Sequence, residues 1–177
     1  MENVVIENKT FEIYIDEQRI REKVKFLADS INLDYINSEV LFIGVLNGSF
    51  IFAADLIRHI HINHTIEFVK VASYTGTQTS GEVKNLIGLS KNIKGKNIVI
   101  IEDIIDTGIT LKAIVDNLQS FEPNKISLCS LLIKPKMHKV NIKADYEGFV
   151  IPDKFVVGYG LDFNGKGRNL KHIYAEK

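Results

Sequence analysis

Ile98-Val99-Ile100-Ile101-Glu102-Asp103-Ile104-Ile105-Asp106-Thr107-Gly108-Ile109-Thr110-Leu111 decides how this chain is read. The apolar run Ile98 to Ile101 ends abruptly in two carboxylates, Glu102 and Asp103. Asp106-Thr107-Gly108-Ile109-Thr110 follows and leads into a helical pattern, so the stretch reads as strand, polar loop and helix start. A helix start gathers unpaired backbone N–H groups at the positive end of the helix dipole, which suits the 106–110 turn to cradle a phosphate. Three carboxylates beside a phosphate would repel it unless they hold sugar hydroxyls, a magnesium ion, or both. A ribose phosphate satisfies that requirement.

Working outward, apolar residues Ile20, Val24, Leu27, Ala28 and Ile31 share one helical face over Glu17 to Ile31, with Asp16 placed to cap the start. Leu41 to Leu46 reads as a buried strand, Asn47-Gly48-Ser49 as a tight loop, and Phe50 to Ile60 as a helix capped by Ser49. Further strands are expected at Thr65 to Ala72, Asn97 to Ile101, Lys125 to Ile133 and Phe155 to Tyr159. Strands alternating with helices imply βαβ units, a mainly parallel sheet flanked by helices, and ligands above the carboxyl ends of the strands. The loops after Leu46, Ile101 and Ile133 all lie at such ends. Between Tyr74 and Asn85 the chain is polar and small-residue rich without apolar periodicity, the character of a structureless loop.

The 177 residues are enough for one domain with a substantial core, and no repeat or linker divides 1–177. Lys plus Arg and Asp plus Glu are equal at 22 each, so the bulk charge offers no footprint for a nucleic-acid partner. No run approaches the ~18 apolar residues that cross a bilayer, and the N-terminus lacks a signal-peptide pattern. The single cysteine, Cys129, lies in an apolar run without basic neighbours and reads as a small buried hydrophobe in a reducing, cytoplasmic protein. On that basis the sequons at Asn8, Asn47 and Asn63 are chance matches.

The 98–111 stretch resembles the phosphoribosyl-pyrophosphate motif of the type I phosphoribosyltransferases, and the chain from about residue 10 to 175 is similar to their hypoxanthine (hypoxanthine-guanine) branch. Supporting segments stand in the same order: Leu46-Asn47-Gly48-Ser49, Ser73-Tyr74, Ser130-Leu131-Leu132-Ile133-Lys134, and Ile151-Pro152-Asp153-Lys154-Phe155-Val156-Val157-Gly158-Tyr159. The resemblance implies an α/β type I fold with a hood made from N- and C-terminal segments and a loop, about 74–85, that closes over the reacting centre. It implies purine salvage: transfer of the phosphoribosyl group from phosphoribosyl pyrophosphate to a 6-oxopurine, with magnesium, in a homodimer or homotetramer. No membrane or nucleic-acid partner is expected.

Site roles follow from the same resemblance. Glu102 and Asp103 would hold the ribose hydroxyls and the metal. Backbone N–H groups of Asp106, Thr107, Gly108, Ile109 and Thr110, with the two threonine hydroxyls, would take the 5′-phosphate, Gly108 allowing close approach. Asp106 is the expected general base, ionised at neutral pH and able to take a proton from the purine. Lys134 would donate to the oxygen at purine position 6, Phe155 would stack on the ring, and Val156 would bond it through backbone. Asp162 resembles a second metal-site acid whose backbone faces the purine 2-position. Leu46, Asn47 and Gly48 resemble the pyrophosphate loop, with Asn47 where relatives often carry a basic residue, and Arg168 resembles a pyrophosphate clamp. In relatives the peptide bond at this loop can be cis. Ser73 and Tyr74 belong to the closing loop.

Other readings compete. The phosphoribosyltransferase fold also serves nucleotide-sensing, RNA-binding regulators, which would need a basic face, and pyrimidine transferases, which would lack the 151–159 purine segment. Gly160 to Gly167 nearly spells a phosphate-binding P-loop but ends in glycine with too little chain after it. Asp106-Thr107-Gly108 spells an aspartic-protease triplet without a second copy. His59, His61 and His64 read as a helix end and turn rather than a metal site.

Overall fold

A computed structural model describes residues 3–72, 84–87 and 92–177. In chain order the elements are β1 (Asn3–Ile6), β2 (Lys9–Ile15), α1 (Glu17–Asp34), β3 (Val40–Leu46), α2 (Phe50–Ile57), β4 (His64–Ala72), β5 (Lys84–Ile87), β6 (Asn97–Ile105), α3 (Ile109–Gln119), β7 (Lys125–Ile133), β8 (Tyr146–Val150), β9 (Val156–Val157) and β10 (Ile173–Glu176). The main sheet runs β5-β4-β3-β6-β7-β8; the five strands from β4 to β8 in that order are parallel, and β5 is antiparallel at the edge. Apolar clusters fill both faces of this sheet. One contains Val24, Leu27, Phe52, Leu56, Val99 and Leu131 against α1 and α2, and the other contains Ile43, Ile98, Ile100, Leu111 and Ile114 against α3. Burial on both faces is why β3 is a continuous apolar run rather than an alternating one, and why β7 is buried without alternation from Ser127 to Ile133.

Helix α1 follows its sequence pattern closely. Ile20, Val24, Leu27, Ala28 and Ile31 are its buried residues, and the Asp16 carboxylate accepts the Arg19 N–H at 2.9 Å. The helix continues to Asp34, where the carboxylate accepts the Tyr146 hydroxyl at 2.8 Å and ties the helix end to β8.

Several expectations change. Strand β6 does not stop at Ile101: β7 continues beside it to Ile133, and the pairs Glu102↔Ser130, Ile104↔Leu132 and Ile105↔Ile133 extend the ladder past both acids. Ser49 does not cap α2, because its hydroxyl donates to the Val45 carbonyl at 2.6 Å and its backbone is already helical. The helix ends at Ile57, and His59 and Ile60 belong to the turn that follows. Of Phe155 to Tyr159, only Val156–Val157 is strand, and it joins a different sheet.

That second sheet has the order β1-β2-β10-β9 and is antiparallel throughout. It joins both ends of the chain through Ile6, Phe11, Val157 and Tyr174, and forms the expected hood. Of the segment about 74–85, Lys84 and Asn85 lie in β5, paired with β4, rather than in a structureless loop. Ser73 and Tyr74 lie outside the described residues. Among the described residues no helix is long and apolar enough to cross a membrane.

Candidate active site

Parallel strands β3 and β6 are neighbours, so their carboxyl-end loops converge. They enclose a cleft of about 280 Å³ lined by Leu46, Asn47, Gly48, Glu102, Asp103, Asp106, Thr107, Gly108 and Thr110. Most of the residues expected at the phosphate end are thus in one place. A larger groove of about 740 Å³ opens between α1 and α2 and holds none of them.

Strand geometry sets the acid pair. Asp103 is buried, and its Oδ1 accepts the Ile104 N–H at 3.0 Å. Burial, then the Asp103 charge, push the Glu102 carboxyl well above the usual carboxylate range. Burial raises Asp103 too, while its hydrogen bond with Glu102, the Ile104 N–H and the nearby Arg168 guanidinium pull it back. Gly48 is pressed against the pair: a Cβ there would stand 1.6 Å from Asp103 Oδ2. The Leu46-Asn47 peptide is cis.

After the acids, the turn into α3 provides the anion cradle. Gly108 takes a left-handed conformation (φ 77°) as the residue before the helix, which a side chain would strain, and a Cβ would also meet Ile142 at 2.6 Å. No side chain caps α3; Ile109 N–H reaches the Thr107 hydroxyl at 3.4 Å, and Gly108, Thr110 and Leu111 line the cleft. The uncapped first turn suits an anionic ligand.

Lys134 follows β7 and is buried, its ammonium 3.5 Å from Asp106 Oδ2 and 3.3 Å from Asp153 Oδ1. A buried ammonium needs such partners. Among the described residues Asp106 Oδ1 is buried without a hydrogen-bond partner, an acceptor with capacity left for a ligand. Asp153 has no role that the sequence alone marks. Its position against Lys134 depends on chain folding back 19 residues later, for which spacing gives no signal.

The hood contributes Phe155, 44% exposed, with its ring 6.2 Å from Phe11 and 5.6 Å from Phe163. Strand β9 is at the edge of its sheet, and Phe155 O accepts the Glu176 N–H, so the antiparallel alternation turns the Val156 N–H and C=O toward the free edge. Asp162 and Arg168 meet each other, Oδ1 to Nη2 at 2.6 Å; Asp162 Oδ2 also accepts the Gly165 N–H, and Arg168 Nη1 donates to the Gly160 carbonyl, both at 2.6 Å. This turn replaces any P-loop over 160–167. Asp162 does not join the acid pair as a third ligand, and no group of three metal-ligating side chains forms among the described residues. Cys129 is buried, and desolvation pushes its thiol up, away from reactivity.

Comparisons with known proteins agree with this geometry. The phosphoribosyl transferase domain model matches residues 12–164. The hypoxanthine phosphoribosyltransferase of Escherichia coli (strain K12) is 40% identical over 167 residues, 93% of this chain and 94% of that protein. The hypoxanthine-guanine phosphoribosyltransferase of Bacillus subtilis (strain 168) is 44% identical over 91% of this chain and 90% of its own. A crystal structure of a hypoxanthine-guanine phosphoribosyltransferase from Bacillus anthracis superposes with a TM-score of 0.88 at 47% identity, over 93% of this chain and 97% of that one. A five-strand parallel sheet with a hood and an acid pair before an uncapped helix therefore defines a type I phosphoribosyltransferase fold. The chain belongs to that enzyme family, in its hypoxanthine(-guanine) branch.

Proposed function

We propose that the chain transfers the 5-phosphoribosyl group from magnesium phosphoribosyl pyrophosphate to hypoxanthine, guanine or both, giving IMP or GMP and pyrophosphate. The observation that carries this reading is the buried Lys134 ammonium beside Asp106, next to the acid-lined cleft. In the reaction the bond from the anomeric carbon to pyrophosphate breaks, a purine imidazole nitrogen forms the new C–N bond, and the proton on the other imidazole nitrogen goes to Asp106. Lys134 donates to the 6-oxygen, Phe155 supplies a ring face, and the outward backbone of Val156 bonds the six-membered ring. The 106–110 turn holds the 5′-phosphate, while the 46–48 loop and Arg168 take pyrophosphate. Holding these groups in line, with donors preorganised for the developing charge, supports most of the acceleration.

Magnesium fits the donor set. Glu102 and Asp103 are hard oxygen ligands; burial first, and then the Asp103 charge, raise the Glu102 carboxyl, and a divalent cation would offset both. Among the described residues no group of three metal-ligating side chains forms, and a pair of carboxylates suits an ion that completes its shell with waters and substrate oxygens. When bound it would supply Lewis-acid stabilisation of the pyrophosphate charge. Asp162, held by Arg168, would serve a second ion only after parting from that partner. The buried, unreactive Cys129 is consistent with cytoplasmic residence, and the family resemblance supports assembly into dimers or tetramers.

The test is nucleotide formation from phosphoribosyl pyrophosphate with hypoxanthine, guanine, xanthine, adenine and uracil offered separately, with and without magnesium. Turnover of a 6-oxopurine, lost on chelation, is the expected result. Turnover of uracil alone, or none, would overturn the proposal.

A further inference from the structure

Three consecutive residues, Gly158, Tyr159 and Gly160, have left-handed backbone, with φ of 96°, 50° and 101°. Glycine adopts this readily, but tyrosine does so only when its surroundings hold it there. The Tyr159 side chain is in the core beside α2, 6% of the residue is exposed, and its hydroxyl donates to Asp55 Oδ2 at 2.6 Å. Burial first, then that hydrogen bond and the Asp55 charge, keep the phenol protonated far above its ordinary range. The phenol is therefore the donor in this bond.

What the bond anchors is unusual. Asp55 is on α2, the helix that begins right after the 46–48 loop, so a tie to Asp55 is a tie to the frame of that loop. On the other side of Tyr159, Gly160 lies so close to the loop that a Cβ would be 2.1 Å from the Gly48 carbonyl oxygen. Gly160 also exchanges hydrogen bonds with Arg168: its N–H donates to the Arg168 carbonyl at 3.0 Å, and its carbonyl accepts Arg168 Nη1 at 2.6 Å. Gly48 presses in turn on Asp103. Gly160 thus stands between the 46–48 loop and the arginine, and the Tyr159–Asp55 hydrogen bond ties the residue next to it to α2.

We propose that Tyr159 and Asp55 are a positioning pair that sets the separation between the Gly48 loop and Arg168, and so the fit of a diphosphate between them. The inference rests on reading those two segments as the pyrophosphate end of the site.

Tyr159→Phe removes the hydroxyl and keeps the ring in the core. It is expected to raise KM for phosphoribosyl pyrophosphate about 5- to 10-fold, the share of a charged hydrogen bond transmitted to the site, with KM for the purine moved less than about 2-fold. Asp55→Ala should match it, the double variant should be no worse than either, and Asp55→Asn, which retains an acceptor oxygen, should return close to wild type. Calorimetric binding of magnesium pyrophosphate should weaken in parallel. An unchanged KM for phosphoribosyl pyrophosphate, an equal rise in both KM values, or additive single effects would overturn the pairing. A wild type that makes no nucleotide yet binds magnesium pyrophosphate, with Tyr159→Phe weaker, would sink the proposed function and uphold the pair. Binding of neither substrate nor pyrophosphate by wild type would overturn both.

Discussion

The acid pair of β6 and the turn at 158–160 both pack against Gly48, through Asp103 and Gly160, but are held in opposite ways. Residues 102–110 run from the end of β6, paired there with β7, through a three-residue turn into α3. Their positions are set by neighbours in sequence and by the sheet. Residues 158–160 belong to no named strand or helix; they form a turn closed by the Gly158–Leu161 bridge, and rely on two glycines, a tyrosine in a strained conformation and partners as distant as Asp55, 104 residues away. On the proposed reaction, the fixed carboxylates belong to the first region, and the arginine proposed to hold the departing pyrophosphate is hydrogen-bonded to the second. Changes in the first should therefore act on turnover, and changes in the second on binding and stability.

The largest expected effect belongs to the first region. Asp106→Asn keeps the shape but removes the proton acceptor, and turnover should fall about 10²- to 10⁴-fold with KM values little changed in steady-state kinetics. Undiminished turnover would take Asp106 out of the mechanism. Next, Lys134→Met keeps the buried stem and deletes the ammonium between Asp106 and Asp153. A charged hydrogen bond lost from the purine should raise KM for hypoxanthine about 10- to 100-fold, with KM for phosphoribosyl pyrophosphate less affected. An equal rise for both would mean Lys134 supports the site as a whole.

The second region is probed through its glycines. Gly160→Ala meets both a left-handed backbone and the Gly48 carbonyl at 2.1 Å, whereas Gly165→Ala, at φ 80°, has nothing within 4 Å of the new methyl. The first should destabilise by about 2–4 kcal/mol and the second by about 1–2 kcal/mol in denaturant titrations. Equal costs would show that contact between Gly160 and Gly48 is slack, and would weaken the contrast drawn above.

The smallest effect concerns pH. A carboxyl raised in the folded state, like Glu102, contributes stability that is intact below its ordinary value and lost as pH rises through the raised one. Glu102→Gln removes that loss. Without magnesium it should melt above wild type at about pH 8, with the difference closing toward about pH 4, where the ordinary glutamate also binds its proton. A gap independent of pH would mean the acid pair carries no net ionisation cost.

Much of the acid-loop region was legible in sequence because its determinants are local. The Ile98–Ile101 run, the small turn and the helical pattern after it read directly, as did the face of α1 and its Asp16 cap. The reading erred where a partner strand decides: β6 continues past Glu102 and Asp103 because β7 is there to pair with it. Ser49 failed as a cap because a carbonyl at the end of β3 took its hydroxyl. The hood strands were poorly marked because β9 is only two residues long and the sheet joins segments from opposite ends of the chain.

By itself, then, the sequence determined the alternation of strands and helices, the parallel character of the sheet, and the local order acid pair, turn, helix, since each follows from periodicity and turn chemistry within some ten to twenty residues. Only the tertiary structure decided that Lys134 is shared by Asp106 and Asp153, that Gly48 rests on Asp103, and that Tyr159 reaches Asp55. Those contacts arise when packed elements bring together residues far apart in the chain, and buried polar groups then find the partners that burial demands.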